Sequence, residues 1–284
     1  MSMRSWLRRA RRALPPAGAT AVLVVGLLTG AGTARAATEG PCDIYAAGGT
    51  PCVAAHSTTR ALFASYSGAL CQVQRASDGR LQDVGVLAAG GVADAGAQDS
   101  FCARTACTIT RVYDQSGSGN TLVHQGPGGT GGDDAAATAT TEALTVGGRK
   151  AYALYINPGN SYFAYNSAGA VPTGSSPEGE YMVTSGTHVN GGCCFDYGNT
   201  EIDHKADGNG AMDAINFGTE CCFGGCGGPG PWVQADLENG LFSSGSKTWN
   251  PNQVSQTSRF VTAMLKNDGT THMALNGADS PPAA

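Results

Sequence analysis

Four residues at a spacing of two, Trp232, Gln234, Asp236 and Glu238, alternate with Val233, Ala235 and Leu237. A period of two is that of a β-strand with one apolar and one polar face. On the polar face Asp236 and Glu238 bring two carboxylates about 6.6 Å apart along the chain, with an indole on the same side. An aromatic platform beside paired acids suits the cleavage of a glycosidic bond. One carboxylate can attack or stabilise the anomeric centre while another group moves a proton. An exposed polar strand face would show the same alternation, so the rest of the chain has to decide between the two.

The elements that must carry this strand begin after a leader. Arg4, Arg8, Arg9, Arg11 and Arg12 form a basic n-region, Ala21–Leu28 an apolar stretch, and Ala34-Arg35-Ala36 a small-x-small cleavage site. Residues 1–36 therefore read as a secretory signal peptide, its apolar run too short to span a bilayer. The expectation is a secreted protein with no membrane segment. Residues 37–284 are long enough for one large domain. With 42 glycines, 14% charged residues and a net charge of −5, the composition suits many short strands joined by tight turns and argues against nucleic acid as a partner. Five scattered histidines give no zinc spacing, so neither metal nor cofactor is expected.

Short strands are expected at Thr108–Tyr113, Ala143–Val146, Lys150–Ile156, Tyr162–Tyr165, Glu180–Thr184, Met212–Phe217 and Trp232–Leu237. Arg259–Lys266 and Thr271–Ala274 flank Asn267-Asp268-Gly269, a hairpin signal. Asp114–Asn120 reads as a turn held by Asx-type bonds, and Gly126–Thr140 as a surface loop. Helix is expected only at Ser57–Tyr66 and Val92–Phe101. The sum is an all-β chain, a β-sandwich or jelly roll. Its last strand-like run is followed at once by Asp279–Ala284, which reads as a sandwich cut short of its partner strand.

All ten cysteines follow the leader, as in a disulfide-bonded exported protein. Cys42 with Cys52 and Cys102 with Cys107 bracket short loops and read as local staples. Cys193-Cys194 and Cys221-Cys222 are adjacent pairs. Each is either a vicinal bridge or a pair of neighbours bonded elsewhere, for example to Cys71 or Cys226, and spacing leaves the choice open.

Several longer runs, taken in order, are more specific. They are Gly40–Tyr45, Cys52–Leu62, Tyr113–Gly117, Cys193-Cys194-Phe195-Asp196-Tyr197-Gly198-Asn199 and Ala235-Asp236-Leu237-Glu238-Asn239-Gly240-Leu241-Phe242. Together they resemble the catalytic domain of the α-L-arabinofuranosidase B family, glycoside hydrolase family 54, from about Gly40 to about Gly277. The resemblance implies a β-sandwich, followed in that family by an arabinose-binding β-trefoil, and a retaining exo-acting hydrolase that removes arabinofuranosyl branches from arabinoxylan and arabinan. Such an enzyme is expected to act as a monomer on an arabinose-containing polysaccharide or oligosaccharide. By the same resemblance Glu238 is the nucleophile, and Asp236 and Asn239 line the sugar subsite. Cys193–Cys194 is then a vicinal disulfide that packs against the sugar, and Cys42–Cys52 and Cys102–Cys107 are the two loop-closing bridges. Phe223 stands where the family often has a tryptophan, and Cys71 where an aromatic residue is expected. The family's acid/base is an aspartate in a Gly-rich segment downstream, with no counterpart before Ala284.

The resemblance predicts a secreted arabinofuranosidase with Glu238 as nucleophile. The missing acid/base supports an alternative, a carbohydrate-binding sandwich impaired in catalysis. Asp196 is the nearest substitute acid in the chain, His188 and His204 are expected to be structural hydrogen-bonders, and Trp249 is a candidate distal sugar platform.

Overall fold

The computed structural model of the chain describes residues 39–124, 127–129, 132–164, 171–172, 176–199, 212–238, 251–269 and 272–280. Residues 1–36, His204, Asn239 and Trp249 lie outside these segments, and Glu238 is described by its backbone alone. In chain order the elements are α1 (Pro41–Ala47), β1 (Ala69–Arg75), β2 (Leu81–Gly85), α2 (Ala95–Phe101), β3 (Cys107–Val112), β4 (Leu122–His124), β5 (Pro127–Gly129) and β6 (Gly132–Asp133). There follow β7 (Ala143–Val146), β8 (Arg149–Tyr152), β9 (Tyr162–Phe163), β10 (Glu178–Ser185), β11 (Asp196–Gly198) and β12 (Met212–Gly218). The last five are β13 (Cys226–Gly227), β14 (Trp232–Glu238), β15 (Gln253–Val254), β16 (Phe260–Asn267) and β17 (Met273–Ser280).

Two three-stranded antiparallel sheets form the part of the fold that carries the candidate site, in the orders β10-β16-β17 and β11-β12-β14. Period-two alternation aims Met182 of β10 and Val261, Ala263 and Leu265 of β16 at Ile215 and Phe217 of β12 and Val233, Ala235 and Leu237 of β14. These side chains make one buried core between the sheets, the arrangement of a β-sandwich. Full burial of each of its larger members contributes about 1.5–3 kcal/mol. The expected hairpin is present, with β16 and β17 in register from Phe260 opposite Ser280 to Asn267 opposite Met273.

A five-stranded sheet, β2-β1-β3-β4-β9, forms a second core around Val73, Val84, Ile109 and Val112. It is stapled by Cys102–Cys107, while Cys42–Cys52 ties α1 to the loop that follows it. Cys71 is a buried free thiol on β1 that burial pushes up to about 12.

Three expectations need correction. Ser57–Tyr66 is not helical, because its backbone is engaged elsewhere: Ala61 N–H donates to Gly91 O, Leu62 N–H to the Gln115 side chain, and Leu62 O accepts from Cys42 N–H. The only described helix besides α2 is α1, which starts with Pro41 in its first turn and with Asp43 accepting from Gly40 N–H at 2.7 Å. The stretch from 126 to 140 is not simply surface loop, since Ala137 and Ala139 are fully buried and Ala139 belongs to the second core.

Candidate active site

The site is built on the outer face of β11-β12-β14. Register places Asp196, Asn216 and Gln234 directly opposite one another across the three strands. Asn216 Nδ2 donates to Asp196 Oδ1 at 2.8 Å, and Gln234 Nε2 donates to Asn216 Oδ1 at 3.3 Å. In the next row Asp236 pairs with Ala214, and in the one beyond Glu238 pairs with Met212. Asp236 is 3% exposed, so the expectation that β14 is half-buried holds for its period but not for its burial. Both faces of the strand are covered.

Trp232 is not the sugar platform that its place on this face suggested. It is 7% exposed, its Nε1–H donates to Gly227 O at 2.9 Å, and its ring lies over Gly230. Gly230 has φ +79°, and a Cβ there would come within 2.9 Å of the indole, so glycine is required by both backbone and ring. The indole therefore seats the loop that enters β14.

That loop is a second wall of the site. Cys221 and Cys226 are bridged with a Cα–Cα distance of 6.1 Å, which settles the pairing that spacing left open and leaves Cys222 a free thiol. Gln234, fully buried, holds the loop from below: Nε2 also donates to Glu220 O at 2.9 Å, and Oε1 accepts from Phe223 N–H at 3.2 Å. Phe223, half-buried, thus stands beside the row of polar side chains. Gln234 was legible only as one polar residue of an alternating strand. Its task as a clamp depends on a loop fold that no local pattern announces.

The third wall is Cys193–Cys194, a vicinal disulfide on the loop between β10 and β11, both residues exposed. The Cys194 sulfur and carboxylate oxygens of Asp196 and Asp236 lie within 4.8 Å of one another. With that sulfur tied into a disulfide, the trio offers a cation only two carboxylates, a poor basis for a metal centre. Asp236, Asp196, Cys193–Cys194 and Phe223 are thus brought to one place, with the backbone of Glu238 one strand position pair beyond Asp236.

The supports behind the face are polar as well. Tyr197, half-buried against the core between the sheets, is held by His56: its hydroxyl donates to Nδ1 at 2.9 Å while Nε2–H donates to Asn120 O at 2.7 Å. Burial lowers the His56 pKa, against the raising effects of the Asn120 bond and the Asp114 charge, which fits this neutral tautomer. Asp114 accepts from the backbone N–H groups of Ala55, Ser116 and Asn120 and from the Ser116 hydroxyl, as the turn reading required. Burial alone would raise its carboxyl, but these bonds outweigh it and hold the group below its usual range. His188 is structural, bonded to Ile156 O and stacked on Tyr155 at 4.0 Å.

Behind the strand pairing, between the sheets, lies a separate carboxyl group cluster. Glu178 on β10 is 8% exposed and accepts from Asn199 and Asn267. Burial, with the charge and hydrogen bond of Asp213, pushes its carboxyl up to about 7.

Comparison with known proteins bears on this geometry directly. A family model described as α-L-arabinofuranosidase B, catalytic, matches residues 41–284. The chain is 52% identical over 266 residues to α-L-arabinofuranosidase B of Emericella nidulans, covering 92% of this chain and 51% of that protein. To α-L-arabinofuranosidase B of Aspergillus oryzae it is 51% identical over 246 residues, covering 85% and 48%. It superposes with TM-score 0.75 and 48% identity on a glycoside hydrolase family 54 α-L-arabinofuranosidase soaked with a cyclic sulfate inhibitor, over 84% of this chain and 50% of that one. An arabinofuranosidase complexed with arabinofuranosyl-α-1,2-xylobiose gives 0.76 and 46%, over the same shares. The chain spans about half the length of the curated relatives it matches. With a matched family model over nearly all of the described fold, the chain belongs to the α-L-arabinofuranosidase B catalytic family, glycoside hydrolase family 54.

Proposed function

We propose that this chain is the catalytic sandwich of a secreted, retaining exo-α-L-arabinofuranosidase acting on arabinofuranosyl side chains of arabinoxylan or arabinan, with Glu238 as nucleophile. The observation that carries the reading is the convergence of Asp236, Asp196, Phe223 and the exposed Cys193–Cys194 disulfide on one face of β14. The similar arabinofuranosidase complexed with arabinofuranosyl-α-1,2-xylobiose supports the substrate class.

In this reading Glu238 attacks the anomeric carbon while a partner acid protonates the leaving oxygen. A glycosyl ester forms on Glu238, and water activated by the same partner then releases arabinose with net retention. Asp236, buried beside the nucleophile's strand position, accepts hydrogen bonds from sugar hydroxyls, and Asn239 does the same from the following residue. The vicinal disulfide and Phe223 supply a compact apolar floor and wall for the furanose. The partner acid comes from the segment that follows the β16–β17 hairpin in the family, as the sequence resemblance implies. The leader is cleaved after Ala36, and the exported protein acts as a monomer.

The test is hydrolysis of 4-nitrophenyl α-L-arabinofuranoside and of arabinoxylan by the full-length gene product, which carries the acid-bearing segment that the resemblance places after the β16–β17 hairpin. Release from both, lost by roughly 10³-fold or more in Glu238→Gln, is expected. Binding of arabinoxylan with no turnover of either substrate would instead establish a non-catalytic sugar-binding sandwich.

A further inference from the structure

The free thiol of Cys222 is not alone. Its sulfur and those of Cys193 and Cys194 all lie within 4.8 Å of one another, one thiol facing one disulfide. The two loops that carry them are joined just before Cys222, and the Cys222 loop is also anchored to β14 on both sides of it. Thr219 N–H donates to Asn190 O at 3.0 Å, and Gln234 grips Glu220 O and Phe223 N–H. The Cys193–Cys194 pair is exposed and Cys222 half-buried, so solvent base can reach the trio.

We propose that Cys193, Cys194 and Cys222 form a thiol–disulfide exchange site in which Cys222 attacks the vicinal bridge and covalently joins the loop after β12 to the loop before β11. Cys222 loses its proton to solvent base, and its thiolate forms a new S–S bond to one sulfur of the pair. The Cys193–Cys194 bond breaks, and the displaced sulfur leaves with the electron pair and takes up a proton. One thiol and one disulfide go in and one of each comes out, so no oxidant or reductant is consumed. Burial, then the charges of Glu220, Asp196 and Asp236, hold the Cys222 thiol above its ordinary range. The structure holds the thiol facing an intact vicinal bridge, and alkaline conditions speed the exchange by forming the thiolate. Cys71 takes no part, being buried in the other core.

The chemistry stands without the sugar-cleaving reading; only its consequence for activity rests on the proposed function. Exchange dismantles the sulfur floor of the subsite and ties Phe223's loop across it.

The sequence offers a clean assay. Lys205 separates the two loops and no other Lys or Arg lies between Ala151 and Ser246, so trypsin places Cys193 and Cys194 in one peptide and Cys221, Cys222 and Cys226 in the next. The purified protein is held at about pH 6 or about pH 9.5, quenched in acid, unfolded, capped with N-ethylmaleimide and digested without reduction. The expected result is a disulfide-linked pair of these two peptides, with the cap moved from Cys222 to Cys193 or Cys194. Its rate of formation should rise about tenfold per pH unit below the thiol pKa. The linked pair is expected to be absent in Cys222→Ser and unchanged in Cys71→Ser. A cap confined to Cys222 at both pH values, or a linked pair that persists in Cys222→Ser, would overturn the proposal. Arabinofuranosidase activity should fall in step with the linked pair. Full activity in fully linked protein would overturn the subsite role given to the vicinal disulfide and leave the exchange standing.

Discussion

Replacing Gln234 by leucine tests how the face of the candidate site is held together. The side chain is fully buried and makes three hydrogen bonds that leucine cannot: Nε2 to Glu220 O and to Asn216 Oδ1, and Oε1 from Phe223 N–H. At about 1 kcal/mol net for each, the loss is about 3 kcal/mol, and stranding a backbone carbonyl and N–H adds to it. The extra apolar burial of leucine returns about 1 kcal/mol. The net cost of about 2–3 kcal/mol corresponds to a melting point lower by roughly 5–10 °C in a domain of this size. The damage should be local in its functional effect. Phe223 loosens, its backbone amide loses hydrogen-exchange protection, and KM for an aryl arabinofuranoside rises several-fold while kcat changes less, because uniform binding has been removed rather than the reacting group. Thermal melts, amide exchange and steady-state kinetics on the same preparation provide the check. If the Cys221–Cys226 bridge alone held the loop, the leucine variant would melt with the wild type and keep the Phe223 amide protected, which would refute the clamp.

Other consequences are as direct. Because Glu178 titrates at about 7 in the fold against its ordinary 4.5, the folded state binds that proton more tightly than the unfolded chain. Its contribution is therefore complete below about pH 4.5 and is lost as pH rises through about 7, by about 2 kcal/mol after allowance for solvent near the group. Glu178→Gln should flatten that slope in melts from acid to mildly alkaline pH, and an unchanged slope would contradict the assignment. Leu237→Ala removes a fully buried side chain from the core behind the site and should cost about 3 kcal/mol in denaturant unfolding, whereas a cost below about 1 kcal/mol would mean that the two sheets do not share that core. Asp114→Ala strips acceptors from three backbone N–H groups and the Ser116 hydroxyl and should destabilise the fold by about 2 kcal/mol at neutral pH, with the gap to wild type closing in acid as the native carboxylate protonates. A gap that persists at the lowest pH at which both remain folded would assign the effect to packing instead.

What could be read in the chain, and what could not, follows from the range of the interactions. The period of β14 and the hairpin at Asn267-Asp268-Gly269 are local and were legible, as was the Asp114 turn. The row Asp196–Asn216–Gln234 was not, because it exists only when three segments pair in one register. Trp232 was misplaced for a related reason: alternation put it on the polar face correctly, but the glycine loop at 227–230 folds back and covers it. Ser57–Tyr66 has a capped, helix-like beginning, yet partners distant in sequence, Gln115, Gly91 and Cys42, claim its backbone. Adjacency left Cys193-Cys194 open and only the family resemblance implied its bridge, while the approach of Cys222 to it depends on the same clamp that holds Phe223.

The most direct test of the central claim is to trap the covalent intermediate. The purified protein is mixed with an activated aryl α-L-arabinofuranoside, quenched in acid within a turnover and digested with trypsin. The account predicts one pentosyl residue on the peptide that runs from Ala206 to Lys247, with fragmentation placing it on Glu238. A pentosyl group on any other residue, or turnover with undiminished rate in Glu238→Gln, would contradict it.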